Sequence, residues 1–473
     1  MLFEKNLNDK AKTGSVLSKE VYFYIYSLIQ MKRKLFLYTL VAAIGGLLYG
    51  FDTAVINGAL PFFTDHFSLN DVMTGWAVSS ALLGCIVGAI GAGRPGDRFG
   101  RRDMLKISAV LFLLSAFGTG LATHIQVFIL ARFIGGLAVG IASVLSPTYI
   151  SEIAPASHRG RLIVSFQLAI VVGILVAFFV DYLLINVGPN NWRFMFLSEI
   201  LPALFFLVLL FRVARSPRWL VKRGKQEEAG RVIGELIPED DPELILAEIR
   251  TSLETEKQEK QERLFKKPNL KFTLIGITIG MFAQFTGIAV VMYYATDIFR
   301  ASGFSTDSAI GQTVILGIVN LVFTMLAMRF IDRLGRRKML LTGMLSMALF
   351  LGLFAIEFLF DPFGGGLMLF FLIGFVASFA GSMGAVVFVL LAEVFPNRIR
   401  SRGVAVGSFA VWTVNGSITF LFPVVSGAFG DGVGIGISFA FFSVMTFAGF
   451  FIFRKFLFET SNMTLEEIER RNK

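Results

Sequence analysis

The sequence predicts an all-α membrane protein: twelve transmembrane helices in two six-helix bundles, with cytoplasmic helices between them. Three observations predict this class. First, the 473-residue chain is 55% hydrophobic and 16% charged, with a mean hydropathy of +0.70. A soluble domain carries about 25% charged residues. Second, twelve apolar runs each approach the ~20 residues that cross a bilayer. Third, the two halves of the chain repeat each other. The 52 phenylalanines exceed what a soluble core of this size needs. The composition excludes a soluble enzyme, a disordered chain and a secreted disulfide scaffold, because the one cysteine, Cys85, cannot form an internal bridge. A net charge of +10 and a pI of 9.7 could suggest nucleic acid. In a polytopic protein, however, a basic excess reflects cytoplasmic loops, so no nucleic-acid partner is expected.

Residues 1–34 form an extension that is polar, then briefly apolar, then basic. Val21–Gln30 is too short to span and no small-residue cleavage site follows it, so it does not read as a signal peptide. Met31, followed by Lys32, Arg33 and Lys34, reads as a natural start. Residues 1–30 are therefore expected to be dispensable or to stem from a misplaced start codon. The first bundle, 35–213, carries spans at Leu35–Gly58, Met73–Gly91, Met104–Ala122, Ile125–Ser146, Leu162–Leu184 and Phe194–Val213. The linker, 214–271, is the one long polar stretch. Its mixed-charge helical periodicity (Glu227–Ala229, Leu244–Ile249, Glu254–Arg263) reads as solvated amphipathic helices joining two halves, not as a catalytic domain. The second bundle, 272–453, carries spans at Phe272–Ile298, Ile310–Ile331, Met339–Phe358, Leu367–Leu391, Val404–Gly427 and Ile435–Phe453, and 454–473 form a tail. Glycine and proline inside these runs are compatible with membrane helices.

Basic residues set the orientation. Arg132 lies inside a span, and Arg193 and Arg300 follow spans five and seven; the other Lys and Arg fall in the termini or the even-to-odd loops. Both termini are therefore expected to be cytoplasmic. The compact tail and short outer loops suggest a bacterial chain, hence a multi-pass protein of the cell (inner) membrane, in contact with the lipid bilayer.

The repeat shows in the loops. Asp97-Arg98-Phe99-Gly100-Arg101-Arg102 follows span two, and Asp332-Arg333-Leu334-Gly335-Arg336-Arg337 follows span eight, 235 positions on. Glu152 with Arg159 follows span four, and Glu393 with Arg400 follows span ten, each 241 positions on. Two six-helix halves with matching loops describe a duplicated transporter whose substrate site lies at their interface near mid-membrane. The basic residues set topology, but the positive-inside rule does not account for the repeated acids. Asp97, Arg98, Arg101, Glu152, Arg159, Asp332, Arg333, Arg336, Glu393 and Arg400 are expected to form a cytoplasmic gate network. Its acids would cap helix N-termini or pair with Arg across the halves when that side is closed.

The chain resembles the sugar porter family of the major facilitator superfamily, from about Leu35 to Lys473. The markers are Gly45–Thr53 in span one, the two Asp-Arg-x-Gly-Arg-Arg loops, Arg132-Phe133-Ile134-Gly135-Gly136, Ser216-Pro217-Arg218-Trp219-Leu220, Gly287 with Tyr293-Tyr294, and Glu459-Thr460. The resemblance implies the major facilitator fold and a secondary active transporter, not an enzyme. It would carry a monosaccharide or related polyol by alternating access, driven by proton symport, and work as a monomer. The alternatives are a facilitative uniporter and a nutrient receptor on the same scaffold; the short tail argues against the receptor.

Ionisable groups inside a membrane are expensive and so are functional candidates. Asp52 in span one and Arg132 in span four are the foremost, and the resemblance to proton-coupled symporters places them together on the inner face of the first half. Burial favours the protonated form of a carboxyl and a neighbouring guanidinium favours the charged form. Relative motion of the two would load and release a proton across a moist central chamber. The facilitative glucose transporters carry an amide at the Asp52 position, so the acid favours proton symport. One proton falling through 100 mV supplies about 2.3 kcal/mol, roughly a 50-fold substrate gradient. Asp181 and Glu199, also near or within spans, receive no coupling role.

The resemblance implies a sugar site at Gln167, Ile170, Ile174, Gln284, Asn320, Phe388 and Trp412, with Tyr293 and Tyr294 as the outer gate. Amides satisfy sugar hydroxyls, and aromatic faces cover C–H surfaces. Four positions depart from the family pattern: Ala283, Ala289, Phe388 and Val411 stand where polar groups or a Trp are usual. A typical hexose would leave hydroxyls unpaired at these points, so tight glucose binding is not expected, and a pentose, deoxysugar, polyol or other less hydroxylated substrate fits no worse. Arg215 replaces an acid usual before Ser216. No cofactor and no metal are expected, since Gly224-Lys225 lacks phosphate-loop spacing and His66, His124 and His158 are scattered.

Overall fold

The computed structural model describes residues 33–155, 158–237, 241–258, 263–267, 269–362, 367–457 and 459. The expectations for residues 1–30 and for most of the tail lie outside these, as does the side chain of Asp332. Every regular element among the described residues is helical. Twelve helices are long and apolar enough to cross a membrane: Arg33–Phe67, Asp71–Phe99, Arg101–Gly120, Ile125–Ile153, Arg159–Leu184, Asn191–Leu210, Leu270–Ala301, Thr306–Ile331, Arg336–Phe360, Met368–Leu391, Arg402–Ala428 and Gly432–Phe456. Most outrun the apolar stretches that announce them, because a helix continues past the bilayer until a capping residue stops it. Asn70 caps span two by accepting from the Met73 N–H at 2.9 Å, and Ser305 caps span eight by accepting from Ser308 at 3.3 Å.

Three spans are broken in ways the apolar runs do not reveal. Span six breaks between Leu197 and Ile200, span seven at Thr286-Gly287, and span ten at Gly381-Ser382. Gly287 has φ 78°, a left-handed conformation that costs other residues roughly 1–2 kcal/mol.

Within the first half, span one packs along span five and span two along span four; within the second, spans seven and eleven and spans nine and twelve are the leading pairs. The leading contacts between the halves among the described residues are span two with eleven, span five with eight, and span one with seven. Adding six to a span number exchanges the first two contacts and maps the third onto itself. The interface therefore has the pseudo-two-fold character that the repeat requires.

The linker helices Pro217–Lys222, Gln226–Leu236 and Pro242–Gln258 bury a small core of Trp219, Leu220, Val221, Ala229, Ile233 and Leu246. They define a linker side of the molecule; the opposite end is the far side. The first of them docks on the loop between spans two and three. There Trp219 Nε1 donates to the Asp97 carbonyl at 3.1 Å, and Lys222 Nζ meets Asp97 Oδ2 at 2.9 Å. Lys34 reaches Glu235 at 2.8 Å. Glu459 plays the matching part in the second half, accepting from the backbone N–H groups of Arg336 at 2.9 Å and Arg337 at 3.1 Å. It thereby caps the start of span nine.

Candidate functional site

Asp52 projects from the middle of span one and Arg132 from the second turn of span four. Arg132 Nη1 donates to Asp52 Oδ1 at 2.6 Å, and its Nη2 donates to the Asp52 carbonyl at 3.1 Å. The two residues are 2% and 1% exposed. The guanidinium also lies 5.8 Å from the Phe196 ring centre. Glu199, in the break of span six, is buried with one carboxylate oxygen unpartnered among the described residues, and it interacts electrostatically with both members of the pair. Two acids and one guanidinium thus share one low-dielectric pocket, an arrangement whose desolvation cost rules it out as a cheap source of stability.

Both groups are buried in this state. The pair lies among first-half helices, with Phe196 of span six over the guanidinium and Gly135 of span four against the carboxylate. The far side is closed above it, as described below.

Gln167, Ile170 and Ile174 occupy one face of span five, at i, i+3 and i+7. The first two are half-buried and Ile174 is buried. Span one can approach this face because position 50 is glycine; a Cβ there would collide with the Ile170 carbonyl. Span eight runs antiparallel to span five, with Gly317 against Leu175 and Phe178. That register brings buried Asn320, one turn further toward the linker side, to about the depth of Ile170. Gln284 lies in the last turn of the first segment of span seven, half-buried, with its side-chain carbonyl oxygen unpartnered among the described residues. Trp412 is buried with its ring centre 5.7 Å from that of Tyr49, a contact across the halves. Phe388 does not join the packed group: it is 50% exposed, while Val386, Val387, Leu390 and Leu391 beside it are buried.

Tyr293 and Tyr294 are both buried. Tyr294 donates its hydroxyl proton to the Thr419 carbonyl at 2.8 Å and packs 5.0 Å from the Phe422 ring. Tyr293 lies beside Thr53 of span one. A residue that the sequence reading passed over closes this end. Asn57 Nδ2 donates to the Met292 carbonyl at 3.0 Å, and its Oδ1 accepts from the Thr296 N–H at 2.9 Å, so one side chain ties span one to span seven. Phe420 packs its carbonyl and ring on Gly75, with its ring 5.2 Å from Trp76, which ties span two to span eleven. The Tyr182 ring lies against Gly311, which ties span five to span eight. The signal for Asn57 was an amide five residues after Asp52, but an isolated amide does not name its partner.

On the linker side, the first-half charges pair at home and not across the halves. Arg101 bonds Asp97 at 2.9 Å and Glu152 at 3.0 Å, and Ser216 donates to Glu152 at 2.5 Å. Arg98 lies over the ring of adjacent Phe99, and Arg159 is exposed. In the second half Arg336 lies 3.4 Å from Glu393, and Arg400 donates to the Phe395 carbonyl at 3.3 Å. Cross-half pairing is expected when the linker side is closed; in this state, with the halves joined at the far end, Asp97, Arg101 and Glu152 bond neighbours on their own side. Arg215, the departure from the family pattern, has a partner in Asp103 at 2.8 Å.

The model of the family described as "Sugar (and other) transporter" matches residues 38–471. The chain belongs to the sugar transporter family. It is 38% identical over 474 residues to the D-xylose-proton symporter of Escherichia coli strain K12, covering 92% of this chain and 95% of the relative. It is 36% identical over 435 residues to the arabinose-proton symporter of Bacillus subtilis strain 168, covering 91% and 93%. A solved inward-open structure of the xylose transporter XylE from E. coli superposes with a TM-score of 0.82 at 35% identity, covering 92% of this chain and 99% of that one. As a sugar transporter family member with twelve apolar helices, the chain is a multi-pass membrane protein.

Proposed function

We propose that this protein is a proton symporter for a pentose or a similarly sparsely hydroxylated sugar, working as a monomer by alternating access. The linker side and both termini face the cytoplasm, and the structure corresponds to the inward-facing state. The observation that carries the coupling is the buried Asp52–Arg132 pair at 2.6 Å. A carboxyl held by one guanidinium in the first-half core is a group whose charge state must change when that contact loosens. Two relatives named as proton symporters of xylose and arabinose support the substrate class. So do Ala283, Ala289 and Val411, all buried, which offer a sugar no hydrogen bonds where the family pattern has polar groups.

The mechanism follows from this placement. Far-side water protonates Asp52 while that side is open, and sugar binds between spans five, seven, eight and eleven. Tyr293, Tyr294 and Asn57 then close over it. Re-formation of the Arg132 contact favours the carboxylate and releases the proton to the linker side. The test is uptake into vesicles with an imposed pH gradient. Asp52→Asn should lose accumulation of labelled pentose while keeping equilibrium exchange. Accumulation against a gradient by Asp52→Asn would refute the coupling.

A further inference from the structure

We infer that Asp181 is a second proton-binding residue, one that sets the stability of the far-side closure. It is fully buried in the last turn of span five. One carboxylate oxygen accepts from the Gly58 N–H of span one at 3.2 Å; the other is buried with no partner among the described residues. Its carboxyl fills the space a side chain at position 58 would need, since a Cβ there would lie 2.6 Å from Oδ2.

Its neighbours along the chain make the position consequential. Gly58 follows Asn57, the residue that ties span one to span seven. Tyr182 follows Asp181 and lies against Gly311 of span eight. The carboxyl therefore sits where two of the three cross-half seams meet, and bonds the first-half helices that carry them to one another.

Among the described residues no cation offsets its charge. Among the charged groups on the packed elements, Asp52 and Arg132 are bound to each other, and Asp297 lies 3.5 Å from Arg300. Arg193, at the start of span six, bonds the Gly120 carbonyl and contacts His66. Asp65 and Asp307 are exposed at the far ends of spans one and eight. None of them hydrogen-bonds or ion-pairs with Asp181 among the described residues. A carboxylate without a counter-charge in such a site needs water, and an uncharged carboxylic acid does not. The closed seam accordingly holds the protonated acid. Ionisation draws in water and parts spans one and five where the seams meet. The proton is taken from far-side water and returned to it, so this step adds nothing to the transported stoichiometry. By linkage, a site that binds its proton more tightly in the closed state makes closure pH-dependent, by at most about tenfold per pH unit for one proton.

The inference rests on alternating access but not on coupling through Asp52, and the test separates the two. Spin labels at exposed Asn190 and Ala301, on the far-side loops of the two halves, report closure by their distance distribution in a Cys85→Ala background. The Asp52→Asn variant removes the first titrating acid; Glu199 stays in every sample. Between about pH 8 and about pH 5, Asp52→Asn should raise its short-distance population relative to the long one about fivefold or more. Asp52→Asn/Asp181→Asn should stay near the closed-state distribution throughout, and Asp181→Ser replaces Asp181→Asn if the latter is not recovered folded. A pH response of the double variant equal to that of Asp52→Asn alone, or no response of Asp52→Asn at all, would overturn the inference.

Discussion

A single buried position decides what a binding site can recognise. Ala289 follows the left-handed Gly287 in span seven and is buried, and it stands where the family pattern places an amide. One net hydrogen bond to a substrate hydroxyl contributes about 1 kcal/mol, and a hydroxyl left unpaired in a closed site costs more. Ala289→Asn is therefore expected to improve hexose inhibition of labelled pentose uptake about fivefold, with smaller change for the pentose itself. An unchanged hexose inhibition constant would remove the specificity argument. The sequence was informative at this scale wherever a residue type is expensive in a membrane: Asp52 and Arg132 stood out because ions there need a purpose, and they are in contact. It was less informative for Asn57 and Asp181, whose roles depend on the groups opposite them. Phe388, an aromatic at a family position, is half exposed among buried neighbours.

At the scale of helices, the twelve spans were legible because backbone hydrogen bonding and apolar length constrain a membrane helix so strongly. The breaks were not, because Thr286-Gly287 and Gly381-Ser382 resemble the many small-residue pairs that merely permit close packing. Gly287 is the break with a definite conformational requirement: its φ of 78° disfavours any side chain, and a Cβ there would collide with the Phe442 ring. Gly287→Ala should cost about 1–2 kcal/mol from the backbone alone. It should lower the thermal unfolding midpoint and slow turnover, because the second segment of span seven carries Tyr293, Tyr294 and the carbonyl that holds Asn57. Unaltered melting and turnover would show that the segment does not depend on this kink. The linker helices were expected to be solvated connectors. Their apolar faces form a core of their own, and Trp219 and Lys222 fix that core to the first half.

For the whole molecule, the distribution of contacts matters more than any one of them. At the far end the halves meet through Asn57, through Phe420 on Gly75 and through Tyr182 on Gly311. The first-half charges of the repeated loops bind their own half at the other end. A carrier must visit both arrangements, so the free-energy difference between them has to stay within a few kcal/mol. The far-side latch therefore cannot be very strong, and weakening it should visibly change the populations. Asn57→Ala deletes two hydrogen bonds across the halves, together contributing about 2 kcal/mol to closure, or about a thirtyfold change in the ratio of states. Helix content should not change, since neither bond lies within a helix ladder. The expected result is a population with separated far-side loops, read from spin-label distances between Asn190 and Ala301. Pentose should bind more readily from that side and be released more slowly on the other. If the distances in Asn57→Ala match those of the unmodified chain, closure is held by apolar packing of spans two and eleven, and Asn57 only orients span seven.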